Sequence, residues 1–158
     1  SPQSQVSTSA GLTSALANTA VGHIVLAPGT YNFTAELSIT RSVILEAAVA
    51  GSVVLNAQAS SSSQRRVLNI NPGSSGVVQL IRLSITGGYA SSGGGVFVQG
   101  GTVAISSCTV SGNTATYVRA HVSIALMGRF LTCLPRLSLA QLRLTLLSTS
   151  VGMRRRGL

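Results

Sequence analysis

The chain has no aspartate, no lysine and no tryptophan, and Glu36 and Glu46 are its only acidic residues. Each absence excludes chemistry. Glycoside hydrolysis generally places two carboxyl groups about the scissile bond, and calcium takes several oxygen ligands, most often carboxylates. Glu36 precedes a strand pattern and reads as a solvated turn residue. Glu46, within Val43-Ile-Leu-Glu-Ala47, reads as facing outward, with Arg41 as its expected partner. No catalytic, cofactor-binding or metal-binding residue is therefore nominated, no cofactor is expected, and the chain leans away from being an enzyme.

Histidine and cysteine are equally scarce, with two of each. His23 precedes a strand and His121 lies far away, without cysteines at metal-ligand spacing, so both read as structural or exposed and not as zinc ligands. Cys108 occupies a position expected to face inward as a buried thiol. A Cys108–Cys133 disulfide is the alternative in an oxidising setting. No uninterrupted apolar run approaches the roughly 18 residues of a spanning helix.

All eleven basic residues are arginines, and the formal charge is +9. Such a charge ordinarily suggests an anionic partner, but its distribution argues otherwise. Residues 1–116 carry four Arg and two Glu, whereas the last 42 residues carry seven Arg and no acid. Arg154-Arg155-Arg156 has no aromatic platform beside it, so a nucleic-acid partner is not expected. Arg65-Arg66, after Ser60-Ser-Ser-Ser63-Gln, reads as a solvated loop end, with contact to acidic glycans as the alternative.

What is abundant is a short apolar strand pattern broken by glycine. Leu37-Ser-Ile39-Thr, Leu68-Asn-Ile70-Asn, Leu83-Ser-Ile85-Thr and Val103-Ala-Ile105-Ser each set two aliphatics two residues apart. In a strand that spacing puts both on one face, and recurrence of such a unit predicts a solenoid in which neighbouring coils bury each other. Strands are expected at about 23–27, 37–40, 43–47, 52–57, 67–71, 77–86, 96–99, 102–106 and 108–111. Between them lie turn sequences such as Pro28-Gly29, Asn71-Pro72-Gly73, Gly87-Gly88, Gly93-Gly94-Gly95 and Gly100-Gly101. Asn56, Asn69, Asn71 and Asn113 fall at strand ends and turns, where bonds to local backbone or asparagine stacks account for them. Asn32-Phe-Thr34 is a glycosylation sequon.

Two stretches carry a family resemblance. Ser92-Gly-Gly-Gly-Val96-Phe-Val98, then Thr102-Val-Ala-Ile105 and Ser111-Gly-Asn113-Thr-Ala115, resembles the repeats of polymorphic outer membrane protein-like and pectin lyase-like chains. His23-Ile-Val-Leu-Ala-Pro28-Gly29-Thr-Tyr31 is similar to the first coil of right-handed parallel β-helices. The resemblance covers roughly residues 10–116 and implies an all-β, right-handed parallel β-helix. At about 20–25 residues per coil, residues 21–116 would form about four coils. The family is functionally mixed, so the resemblance implies the fold more strongly than an activity.

Three pieces follow. Residues 1–9, rich in Ser, Thr and Gln, read as disordered or a linker, and a chain beginning on Ser1 without a signal peptide reads as truncated or processed. Residues 10–116 form the β-helix domain, expected to be incomplete. It opens with a short helix from Ser9 to about Thr19, capped by Ser9, that covers the first coil. Residues 117–158 form an atypical Leu/Arg-rich tail. It is either a non-native segment from read-through or a frameshift, or an amphipathic cap or lipid-contacting segment carrying Leu137, Leu139, Leu142, Leu144 and Leu146.

The leading functional expectation is a non-enzymatic extracellular or cell-surface repeat protein that contacts polysaccharide or cell-surface glycans. The alternatives are a fragment of a polysaccharide lyase or hydrolase whose catalytic coils are missing, and a membrane-associated passenger domain.

Overall fold

Alternation of aliphatic and polar residues over three to five positions produces short strands with one buried face, and such strands are the main regular element of the structure. The computed structural model describes residues 2–115 together with strands Ser123–Leu126 and Arg129–Thr132. The first strand, β1 (Gln3–Val6), is followed by the one helix among the described residues, α1 (Ser9–Ala17). Next come β2 (His23–Leu26), β3 (Gly29–Asn32), β4 (Leu37–Ile39), β5 (Val43–Ala47), β6 (Val53–Asn56) and β7 (Leu68–Ile70). The chain continues through β8 (Val77–Ile81), β9 (Leu83–Thr86), β10 (Tyr89–Ala90), β11 (Val96–Val98), β12 (Thr102–Ser106), β13 (Thr109–Val110) and β14 (Thr114–Ala115). The last two strands are β15 (Ser123–Leu126) and β16 (Arg129–Thr132).

The strands form parallel sheets. One has the order β1-β2-β5-β8-β12-β15-β16, a second β3-β6-β9-β13 and a third β4-β7-β11, with β10 and β14 as a separate pair. Every pairing between these strands is parallel except β15 with β16. The described residues are thus all-β apart from α1.

The core is a set of aliphatic rows that cross each sheet in register. Val43, Val78 and Val103 align in the first sheet, as do Ile24, Leu45, Leu80 and Ile105. Tyr31, Leu55 and Ile85 align in the second, and Leu37 with Leu68 and Ile39 with Ile70 in the third. All of these side chains are buried. All eight aliphatics of the four related tetrapeptides are therefore internal, as expected. They do not, however, repeat one position. Leu37/Ile39 and Leu68/Ile70 belong to the third sheet, Leu83/Ile85 to the second and Val103/Ile105 to the first. The same two-residue alternation serves any buried strand, whichever sheet it joins.

Successive partners lie at unequal intervals. In the first sheet His23 pairs with Ile44, Ile44 with Gln79 and Gln79 with Ala104, steps of 21, 35 and 25 residues. The long step contains the serine-rich loop from Ala57 to Arg66, which joins β6 to β7.

Several local expectations need correction. Residues 1–9, read as disordered or a linker, contain β1, which pairs residue for residue with β2 and buries Val6. Polar composition misleads there because one inward residue suffices for a strand on a sheet edge. Thr8, not Ser9, caps α1: its hydroxyl accepts from the Gly11 amide at 3.0 Å, and the helix ends at Ala17. The strand expected over 77–86 breaks at Arg82, whose φ of 59° turns the chain between β8 and β9. Gly29, read as part of the Pro28-Gly29 turn, instead opens β3.

Two features hold the ends and corners. Arg41 donates from Nε to the Leu16 carbonyl at 3.1 Å, from Nη2 to that of Ala15 at 3.0 Å, and from Nη1 to that of Val21. Its charge satisfies carbonyls at the negative end of α1 and ties the helix to the chain between β4 and β5. Near residue 115 the two glycine-containing motifs interlock. Asn113 Oδ1 accepts from the Gly88 amide at 2.9 Å, while its Nδ2 donates to the carbonyls of Ile85 at 2.9 Å and Ser111 at 3.1 Å. A Cβ on Gly88 would overlap the Gly94 carbonyl, and one on Gly94 would overlap the Thr114 carbonyl. These glycines are required by close backbone approach.

Candidate functional site

A strand on a one-sided sheet sends alternate side chains away from the core, so any contact chemistry must sit on the outer faces. Both glutamates are there, and neither is free. Glu46 lies on β5 beside Val25 of β2 and in front of Ile81 of β8. The Nε2 of His23 donates to Glu46 Oε2 at 2.8 Å, and Arg82 Nη2 donates to Glu46 Oε1. The three side chains are only partly exposed, His23 28%, Glu46 23% and Arg82 35%. The expected Glu46–Arg41 pair is not formed, because Arg41 is committed to the carbonyls of Ala15 and Leu16 at the end of α1 and to that of Val21.

Glu36 belongs to a second cluster, on the outer face of the third sheet. Its Oε1 accepts from Asn69 Nδ2 at 3.0 Å and its Oε2 from Arg66 Nη1 at 3.4 Å. Asn69 Oδ1 in turn accepts from Gln99 Nε2 at 2.8 Å. Arg66 donates from Nε to the Ser92 carbonyl at 2.9 Å and lies over the ring of Phe97, 4.4 Å from its centroid. A guanidinium at that distance is attracted by the ring face. Glu36 is therefore a partly buried anchor and not a solvated turn residue, and Arg66 is a cross-strand ligand and not a solvated loop end.

Register assembles this face. Ser38, Asn69 and Phe97 are direct neighbours across β4, β7 and β11. Gln99 and Ser38 are exposed, while Asn69 and Phe97 are half-buried. A hydroxyl, two amides and an aromatic edge thus line one lateral strip, with Glu36 and Arg66 fixing its border. The strip can offer hydrogen bonds and apolar contact to an extended ligand. It offers no second carboxylate near Glu36.

The remaining candidates are structural or lie elsewhere. Cys108 is a free, buried thiol, as expected. It donates to the Leu80 carbonyl at 3.3 Å and accepts from the Leu83 amide at 3.4 Å. Burial pushes the thiol pKa up, and backbone hydrogen bonds involving Leu83, Ser106 and Arg82 oppose that only partly. Asn56 bonds locally, its Oδ1 accepting from the Gln58 amide at 2.9 Å. His121, Cys133, Arg154-Arg155-Arg156 and the leucines from Leu137 to Leu146 lie outside the described residues. Among the described residues there is no group of three His, Cys, Asp or Glu side chains able to hold a metal. No helix among them is long and apolar enough to cross a membrane.

Sequence reading missed the Arg66–Phe97 and Glu36–Asn69–Gln99 contacts. Their partners lie 30 or so positions apart, a spacing set by loop lengths that no local pattern encodes. Comparison of the chain with protein families, with curated proteins and with solved structures found no match.

Proposed function

We propose that this chain is a non-enzymatic repeat protein of the extracellular space or cell surface, built as a right-handed parallel β-helix and contacting glycans through the outer face of its third sheet. The fold assignment draws support from the rotation of consecutive strands among three sheets. β2, β3 and β4 enter the first, second and third sheets in turn, and β5, β6 and β7 repeat that order. It also draws on the likeness of the glycine and Ser-Gly-Asn-Thr-Ala motifs to polymorphic outer membrane protein-like and pectin lyase-like repeats.

The observation that carries the functional reading is that both glutamates are engaged, Glu36 by Arg66 and Asn69 and Glu46 by His23 and Arg82. A carboxylate held between two cationic or donor groups is poorly placed to take a proton from a substrate or to attack it. The exposed Ser38 hydroxyl and Gln99 side chain instead present small polar groups beside the edge of Phe97, a combination suited to sugar hydroxyls.

The test is binding without turnover. The full chain is passed over immobilised neutral and acidic polysaccharides while soluble products are assayed, with and without calcium. Retention that falls at least several-fold in Gln99→Ala and in Phe97→Ala, with no release of oligosaccharide, is the expected result. Measurable cleavage lost in Glu46→Gln would replace the reading with a catalytic one.

A further inference from the structure

Asn32 stands apart from the other asparagines of the sheets. The amides of Asn56 and Asn69, the other asparagines within strands, are engaged in hydrogen bonds, whereas that of Asn32, like that of Asn71 in a turn, makes none among the described residues. It is exposed, as is Thr34, while Tyr31 and Phe33 on either side are buried. The two aromatics anchor the backbone, so the Asn32 side chain projects outward from a fixed position. Asn32-Phe33-Thr34 is also the only Asn-x-Ser/Thr sequence in the chain with x other than proline. The strand it ends, β3, is the terminal strand of the second sheet and, among the described residues, is paired on one side only, with β6. A free strand edge is a template for pairing with another chain, and folded proteins shield such edges.

We propose that Asn32 is an N-glycosylation acceptor and that its glycan shields the free edge of β3. The inference rests on the extracellular reading above, because the modification takes place only in a secretory pathway. Chemically, Asn32 Nδ2 attacks the anomeric carbon of a lipid-diphosphate-linked oligosaccharide. The new N–C bond replaces the bond from that carbon to the phosphate oxygen, the lipid diphosphate leaves, and Nδ2 gives up one proton to a base of the transferase. The bulky, solubilising product occupies solvent beside β3 and needs no displacement of the core.

The experiment directs the full chain, with an added secretion leader, through a eukaryotic secretory pathway and measures the mass of the secreted protein. One glycan is expected, carried by the peptide containing Asn32. It should be removed by an amidase that leaves aspartate there, retained in Thr34→Ser, and lost in Asn32→Gln and Thr34→Ala. The enzymatically stripped protein should form more high-molecular-weight species at high concentration than the glycosylated one. Secreted, folded protein without a glycan would overturn the acceptor assignment, and equal association of the two forms would overturn the shielding role. Because the leader supplies secretion, these results are independent of where the native chain resides. Tracking the untagged native chain to a non-secretory compartment would count against the extracellular reading alone.

Discussion

His23 and Glu46 meet across two adjacent parallel strands, imidazole Nε2 to carboxylate Oε2 at 2.8 Å, while Arg82 holds the other carboxylate oxygen. One anion thereby fastens β2, β5 and the corner after β8. Arg82 Nε is buried and has no hydrogen-bond partner among the described residues, so there Glu46 supplies most of what compensates that guanidinium. Replacing Glu46 with Gln should lower stability by about 1 kcal/mol, between the values for exposed pairs and for charged hydrogen bonds. Urea midpoints at low and high salt check this. The gap between the two proteins should narrow as salt rises, and coincident curves at low salt would mean that the cluster contributes nothing.

Ile85 sits at the centre of the second sheet, fully buried between Leu55 and Val110. An aspartate there would place an unpaired carboxylate among aliphatic rows. The expected loss is of order 4 kcal/mol, enough to leave much of the chain unfolded at ordinary temperature. A circular-dichroism melt matching the parent would show that the residue is not internal.

Ser107 is exposed and turns the chain into β13 with φ of 53°. A side chain in that left-handed region costs about 1–2 kcal/mol, and glycine returns part of this through a floppier unfolded chain. Ser107→Gly should therefore stabilise by ~0.5–1 kcal/mol. Calorimetry should register a higher Tm, and a lower one would contradict the strained corner.

Cys108 gives the protein a pH signature. Its pKa is raised on folding by burial, so the folded state keeps a proton that the unfolded chain releases. Its contribution is fully present below the unfolded thiol value, about 8.5, and is lost as pH rises through that value toward the folded one. Denaturant titrations at stepwise alkaline pH should show stability falling in the parent more steeply than in Cys108→Ala. The native thiol should also react with a soluble disulfide reagent far more slowly than the unfolded one.

Strand identity was legible because it is local. The alternation in Leu37-Ser-Ile39 or Val103-Ala-Ile105 fixes which side chains turn inward, whatever the strand pairs with. Partner identity was not legible, since it depends on loop lengths, and steps of 21, 35 and 25 residues within one sheet defeat a search for a fixed period. The outer-face clusters were hidden for the same reason. Arg66 reaches Phe97 only because the stretch from Asn71 to Gly95 brings β11 beside β7. Thr8 was obscured by Ser9, an equally good capping residue one place on, and β1 by its polar composition.

The unequal steps between paired strands have a mechanical meaning. In the first sheet each strand is hydrogen-bonded mainly to the one before it and the one after it. Tension applied at the two ends of the described chain would load those ladders in series and peel them one at a time, in place of shearing them together. Each release frees the residues between two partners, and an extended chain spans at most about 3.6 Å per residue. Steps of 21, 35 and 25 residues then correspond to extensions of roughly 75, 125 and 90 Å. The serine-rich loop that lengthens the middle step would act as a reserve of slack, letting that segment absorb the most extension for each ladder broken.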